Sequence, residues 1–180
     1  MIYCFLADGF EEMEALCPVD ILRRGECQVI TVGVGEEIIT GAHNISVCSD
    51  IKDSETVLDE NLEMIILPGG MPGTLNLEKN INVQKAIDFC MKNGKYIGAI
   101  CAAPSILGHK GILKGKEAIC FPGFEGQLDC DKVSEDHVCA DGNIITAKGA
   151  GVAQEFGIKL LEMLRGAETA KRIRDSLQCR

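Results

Sequence analysis

Short, continuous apolar runs alternate with longer stretches of helical period along this chain. Residues 1–7 predict a strand buried on both faces. Over 11–24, Ala15, Val19 and Leu22 recur at helical spacing, Arg23, Arg24 and Gly25 mark the end, and Pro18 predicts a kink or an irregular turn. Residues 27–32 predict a second strand, with shorter ones at 37–40 and 45–48. A strand at 62–67 stops at Pro68-Gly69-Gly70 and Pro72-Gly73. Asn82 is the expected cap of a helix that carries Val83, Ala86, Ile87, Cys90 and Met91 on one face and closes at Gly94. A strand at 95–100 leads through Cys101 into a helix at 102–108, with Pro104 in its first turn. Strands follow at 118–121, 133–140 and 143–147, the last two joined at Asp141-Gly142, then amphipathic helices at 152–164 and 167–177. This alternation predicts an α/β fold: a mainly parallel central sheet with helices on both faces. Ligands of such sheets bind beyond the carboxyl ends of the strands, which singles out the loops at 7–14, 68–73, 100–103 and 148–151.

With 180 residues there is room for one domain of the usual ~150. The net charge of −9 repels phosphate backbones, and aromatic residues are few, with no Trp, so nucleic acid is not an expected partner. No apolar run approaches the ~20 residues that span a membrane, and no basic leader precedes the first strand, so a cytoplasmic protein is expected. Its ten cysteines then read as reduced thiols. They form no CxxC pair, and His43, His109 and His137 have no ligand partner at helical spacing, so no metal site is expected. Nor is a cofactor. Gly33-Val34-Gly35 does not open a helix, Gly149-Ala150-Gly151 lacks the third glycine of a dinucleotide fingerprint, and the first strand–helix loop carries three glutamates, which oppose a flavin phosphate.

The chemistry centres on Gly98-Ala99-Ile100-Cys101-Ala102-Ala103-Pro104. A thiol at a tight strand-to-helix turn stands above the sheet as in a nucleophile elbow. The helix start is expected to lower its pKa, although free cysteine is also a common core residue. Glu11, Glu12 and Glu14 suit a helix start, where carboxylates complement the dipole. Any of the three can instead point across the sheet edge toward Cys101, where its pKa would rise and it could donate to sulfur or shuttle a proton. Gly69 and Gly70 form either a plain turn or a pair of backbone donors for an oxyanion.

Together, Glu11-Glu12-Met13-Glu14, Leu67-Pro68-Gly69-Gly70, Ala99-Ile100-Cys101-Ala102-Ala103-Pro104 and Lys148-Gly149-Ala150-Gly151 resemble the DJ-1/ThiJ/PfpI superfamily, in register from residue 1 to about 166. The resemblance is to the branch that holds the Parkinson-disease protein and its bacterial ThiJ-like relatives. It implies a flavodoxin-like three-layer sandwich over 1–166, with residues 167–180 as a C-terminal helix on the same domain, and a homodimer. It implies that Cys101 is the oxidisable nucleophile, that Glu14 hydrogen-bonds its sulfur, that Gly69, Gly70 and Ala102 supply the oxyanion-side backbone, and that Arg24 and His43 border an anion pocket. Two departures stand out. Ala102 follows the cysteine where peptidase-like members have His, which argues against protease activity. Phe121 stands where glyoxalase- and deglycase-type members often carry His, which removes the usual general base.

Two main functions follow from the resemblance. In one, Cys101 adds to a small aldehyde such as methylglyoxal and Glu14 moves the proton, without a cofactor. In the other, the chain is a redox-responsive stress protein whose Cys101 oxidises to sulfinate. A chaperone or interaction module with a vestigial thiol is a third reading.

Overall fold

In the computed structural model, which describes residues 1–178, the first strand, β1 (Ile2–Leu6), feeds two separate cores. Ile2, Cys4 and Leu6 enter one; Tyr3, Phe5 and Ala7 enter the other. This is the period-two alternation of a strand covered on both faces. The chain continues through α1 (Glu12–Arg24), β2 (Val29–Gly33), β3 (Ile38–Thr40), β4 (Ser46–Cys48), β5 (Ile51–Lys52) and β6 (Met64–Leu67). Next come α2 (Gly73–Lys79), α3 (Ile81–Asn93), β7 (Tyr96–Ile100), α4 (Pro104–His109), β8 (Glu117–Ala118), β9 (Lys132–Val133), β10 (Val138–Asp141), β11 (Ile144–Ala147) and α5 (Ala153–Ser176).

Seven strands form the main sheet in the order β10-β11-β7-β6-β1-β2-β5. All neighbours run parallel except β10, which pairs antiparallel with β11. β3 and β4 make a separate antiparallel hairpin. One core lies under α1 and α5, with Val19, Leu22, Phe156 and Leu161. The other lies under α2, α3 and α4, with Leu77, Ile87 and Ile106. The register pairs Leu67 with Ala99 and Ile100 with Ala147, so β6, β7 and β11 end side by side. Their loops therefore share one edge with the loop after β1.

Several expectations need correction. Helix α1 runs unbroken across Pro18, whose missing N–H costs one internal bond. Residue 157, a glycine on α5, faces that point: a Cβ there would lie 3.0 Å from Pro18 Cα and 2.8 Å from Ile21 Cδ1, so the two helices meet at near-backbone distance. Asn80, not Asn82, caps α3. Its Oδ1 accepts from the N–H groups of Asn82 and Val83, at 2.9 Å each, while the Asn82 side chain donates to Asp53. The two-turn helix α2 was not expected, being too short to show a periodic face. The run 133–140 splits into β9 and β10, and the strand expected at 118–121 ends at Ala118. The C-terminal helices form α5 with a non-helical break at Gly166 (φ 84°), and Ala170 and Ile173 beyond it enter the same core. Residues 179–180 lie outside the described residues.

Candidate active site

Three loops converge on Cys101. The residue follows β7 directly and has φ 65°, a left-handed conformation that costs a non-glycine residue about 1–2 kcal/mol. Two backbone bonds hold it: Cys101 N–H donates to Ala147 O at 2.9 Å, and Phe121 N–H donates to Cys101 O at 2.8 Å. The strained turn lifts the thiol out of the sheet while leaving it half-buried. The backbone N–H groups of Gly70 and Ala102 donate to its sulfur.

The three glutamates of the first loop have three different tasks. Glu11 caps α1, its Oε2 accepting from Glu14 N–H at 2.7 Å. Glu12 anchors the turn between β3 and β4, accepting from His43 N–H at 2.7 Å and meeting His43 Nδ1 at 2.8 Å. Only Glu14 reaches the thiol. It is buried, hydrogen-bonded to Cys101, and accepts from the N–H groups of Gly69 (2.9 Å) and Ala150. Gly69 must be glycine, because a Cβ there would lie 2.6 Å from Glu14 Oε2 and 2.7 Å from Cys101 Cβ. Gly70 has φ 89° and packs its α-carbon against the Glu11 backbone.

Burial dominates the electrostatics. It pushes Glu14 up to about 7, against the bonds it accepts from Cys101, Gly69 and Ala150. The Cys101 thiol is pushed up to about 12 by burial and then by the neighbouring Glu14 charge, and the Ala102 and Gly70 amides offset only part of this. The expectation of a helix-lowered thiol pKa is therefore corrected. Helix α4 has six residues and begins three positions beyond the sulfur, too short and too far to outweigh a carboxylate in contact. Cys101 and Glu14 form one coupled acid that holds a shared proton above neutral pH.

The structure does not bring Arg24 to this pair. It sits ten residues beyond Glu14, about 15 Å along the helix axis, and bonds Asp20 at 2.7 Å. His43 is exposed and committed to Glu12, whose hydrogen bond and charge raise its pKa, with Glu11 3.9 Å away. Within one chain, two carboxylates thus face the one imidazole. Among the described residues, Glu11, Glu12 and His43 are the one group whose donor atoms lie close enough for shared metal ligation, within 4.8 Å of one another. Their oxygens already serve Glu14 N–H, His43 and Ile45 N–H.

A feature that the sequence did not signal borders the pair. The partly exposed Phe121 ring and the 148–152 loop line an apolar cavity of about 360 Å³ that His137 also borders.

A flavodoxin-like α/β sandwich with a cysteine elbow and a buried glutamate over its sulfur defines the class of this protein. Comparison with known sequences agrees: the DJ-1/PfpI family model matches residues 1–163, and the chain belongs to that family. It is 34% identical over 176 residues to the Parkinson disease protein 7 homolog of Danio rerio, covering 96% of this chain and 93% of that one. It is 31% identical over 159 residues to the glutathione-independent glyoxalase DJR-1.2 of Caenorhabditis elegans, covering 88% and 84%. It also aligns with protein DJ-1 homolog B of Arabidopsis thaliana at 34% identity, spanning 40% of that longer protein. Among solved structures, oxidized Toxoplasma gondii DJ-1 superposes with a TM-score of 0.94 at 33% identity, over 98% of this chain and 97% of that one.

The raised Glu14 value has a sign that stability can read. Between the ordinary 4.5 and about 7, the folded protein holds a proton that the unfolded chain releases. Wild-type stability therefore falls as pH rises through that window. Glu14→Gln mimics the protonated form and lacks this loss, so its melting temperature relative to wild type is expected to climb from pH 4.5 to 7.5. Parallel profiles would contradict a raised, buried carboxyl.

Proposed function

We propose that the chain is a cofactor-independent glyoxalase acting on small 2-oxoaldehydes such as methylglyoxal. The observation that carries this is the buried Cys101–Glu14 pair, enclosed by N–H donors from Gly69, Gly70, Ala102 and Ala150. A carboxyl with a pKa near 7 suits a group that must both take and return a proton.

The Glu14 carboxylate takes the thiol proton as sulfur adds to the aldehyde carbon. The carbonyl π electrons pass to oxygen, which the Gly70 and Ala102 N–H groups stabilise before Glu14 returns the proton to it. Glu14 then removes the proton from that carbon and delivers it to the neighbouring one, while the hydroxyl proton passes to the former ketone oxygen. The aldehyde carbon is thereby oxidised to a thioester and the ketone carbon reduced to an alcohol. Water cleaves the thioester and releases lactate and the thiol, so methylglyoxal and water give lactic acid with no outside oxidant. The relative named as a glutathione-independent glyoxalase supports this chemistry. With Phe121 in place of an imidazole, Glu14 is the sole acid–base group in the scheme.

Purified wild type is expected to form lactate with kcat/KM rising as pH passes through about 7. Cys101→Ser and Glu14→Gln are expected to lose about 10²-fold or more. Equal consumption of methylglyoxal by wild type and Cys101→Ser would overturn the reading.

One observation favours redox sensing as a second reading. Gly70 and Ala102 donate to the sulfur, and Glu14 when protonated would add a third donor, a set that would bind sulfinate oxygens. In the reducing cytoplasm, where the chain is expected to reside, such a site would oxidise only under peroxide stress. Mass spectrometry after mild peroxide is expected to find Cys101 more oxidised than the exposed Cys48. The reverse order would remove this reading.

We also infer a homodimer. Met13 (58% exposed) on α1 lies beside the Glu12-anchored hairpin turn that carries Ile45 (54% exposed), an apolar surface that suits a second copy. Light scattering is expected to give twice the chain mass; a monomer would contradict the inference.

A further inference from the structure

The apolar cavity beside the reactive pair is larger than a three-carbon aldehyde requires. Its volume of about 360 Å³ falls within the ~300–1,000 Å³ of small-molecule sites. It is tied to the chemistry through two backbone segments. Phe121 N–H bonds the Cys101 carbonyl at 2.8 Å, which ties the backbone that carries the ring to the elbow. Gly149 lies between that ring and Glu14: a Cβ built there would be 3.3 Å from Phe121 Cδ2 and 3.9 Å from Glu14 Oε1. The next residue, Ala150, donates its N–H to Glu14. One wall of the cavity is thus also the wall of the acid–base group.

The lining indicates what would fill it. Phe121 leaves 47% of its surface open, an unusual exposure for a large ring in a chain so poor in aromatics. Gly149, Ala150 and Gly151 add backbone and only one methyl to the lining, with nothing within 4 Å of a Cβ built on Gly151, while Lys148 and His137 supply its polar edge. Pro122 and Val152 add apolar surface to the lining. Offset stacking on a ring adds roughly 0.5–1.5 kcal/mol beyond area burial, or up to about tenfold in affinity.

Building on the glyoxalase reading, we propose that Phe121 and the Gly149–Val152 loop seat the substituent of an aryl 2-oxoaldehyde, so that the chain favours aromatic over methyl-substituted substrates. The aldehyde carbon of such a substrate reaches Cys101 while its ring lies on Phe121. The atom balance is that of the smaller substrate: phenylglyoxal and water give mandelic acid.

The test compares phenylglyoxal with methylglyoxal. Wild type is expected to show kcat/KM for phenylglyoxal at least several-fold above that for methylglyoxal, and Phe121→Ala to lower this ratio about tenfold. A wild-type ratio at or below one, or a ratio unmoved in Phe121→Ala, would overturn the proposal. Absence of turnover with either aldehyde would instead sink the glyoxalase reading, and a binding measurement then decides the seat. In Cys101→Ser, NMR titration is expected to show mandelate binding about tenfold tighter than lactate, with the advantage lost on adding Phe121→Ala. Equal affinities for the two acids would overturn the seat whatever the turnover. Phe121 is half-exposed, so its replacement is expected to leave the fold intact, which the spectra of the same samples report.

Discussion

A carboxyl and a thiol buried against each other set the terms for everything around them. Neither can ionise beside an ionised partner without cost, because burial removes the water that would screen the two charges. The surrounding backbone answers with donors. Gly69 and Ala150 point N–H groups at Glu14, and Gly70 and Ala102 point theirs at Cys101. Those four amides come from three separate loops, so the contact is possible only where β6, β7 and β11 end in register and α1 begins beside them. The left-handed Cys101 and the missing side chain at Gly69 are local consequences of the same contact. Strain at one residue and lost conformational freedom at another are tolerated because two cores of buried side chains hold the flanking strands and helices.

The sheet was legible because its strands are unbroken apolar runs and its helices carry regular faces, two signals that do not depend on distant contacts. The elbow was legible for the same reason: a strand that ends in a small-residue turn with Pro104 just inside the next helix has few other structures open to it. The division of labour among the glutamates was not. Glu11, Glu12 and Glu14 are alike in sequence, and only three-dimensional placement separates a cap, a hairpin anchor and a proton carrier. The thiol's pKa was misread for a related reason. Sequence showed the helix start but not the depth of burial, and burial wins over a six-residue helix.

Arg24 and His43 are tied to acidic partners on their own chain. Both occupy the expected positions along the chain, yet within it one pairs with Asp20 and the other with Glu12. Phe121 shows the opposite: a residue that reads as a loss, an imidazole missing from its usual place, becomes in three dimensions an open ring on the wall of a cavity. A single acid–base group with a pKa near 7 keeps the chemistry in one place, and the ring changes what the neighbouring space will hold.

The most direct measurement of the central contact is the titration of Glu14 itself, followed by carboxyl ¹³C NMR in protein labelled at glutamate side chains and assigned with Glu14→Gln. A shared-proton pair predicts a carboxyl resonance with its midpoint near 7, well above the glutamates that face solvent. A midpoint at the ordinary 4.5 in the folded protein would mean that Glu14 is solvated and independent of Cys101, and the account of the site would fail.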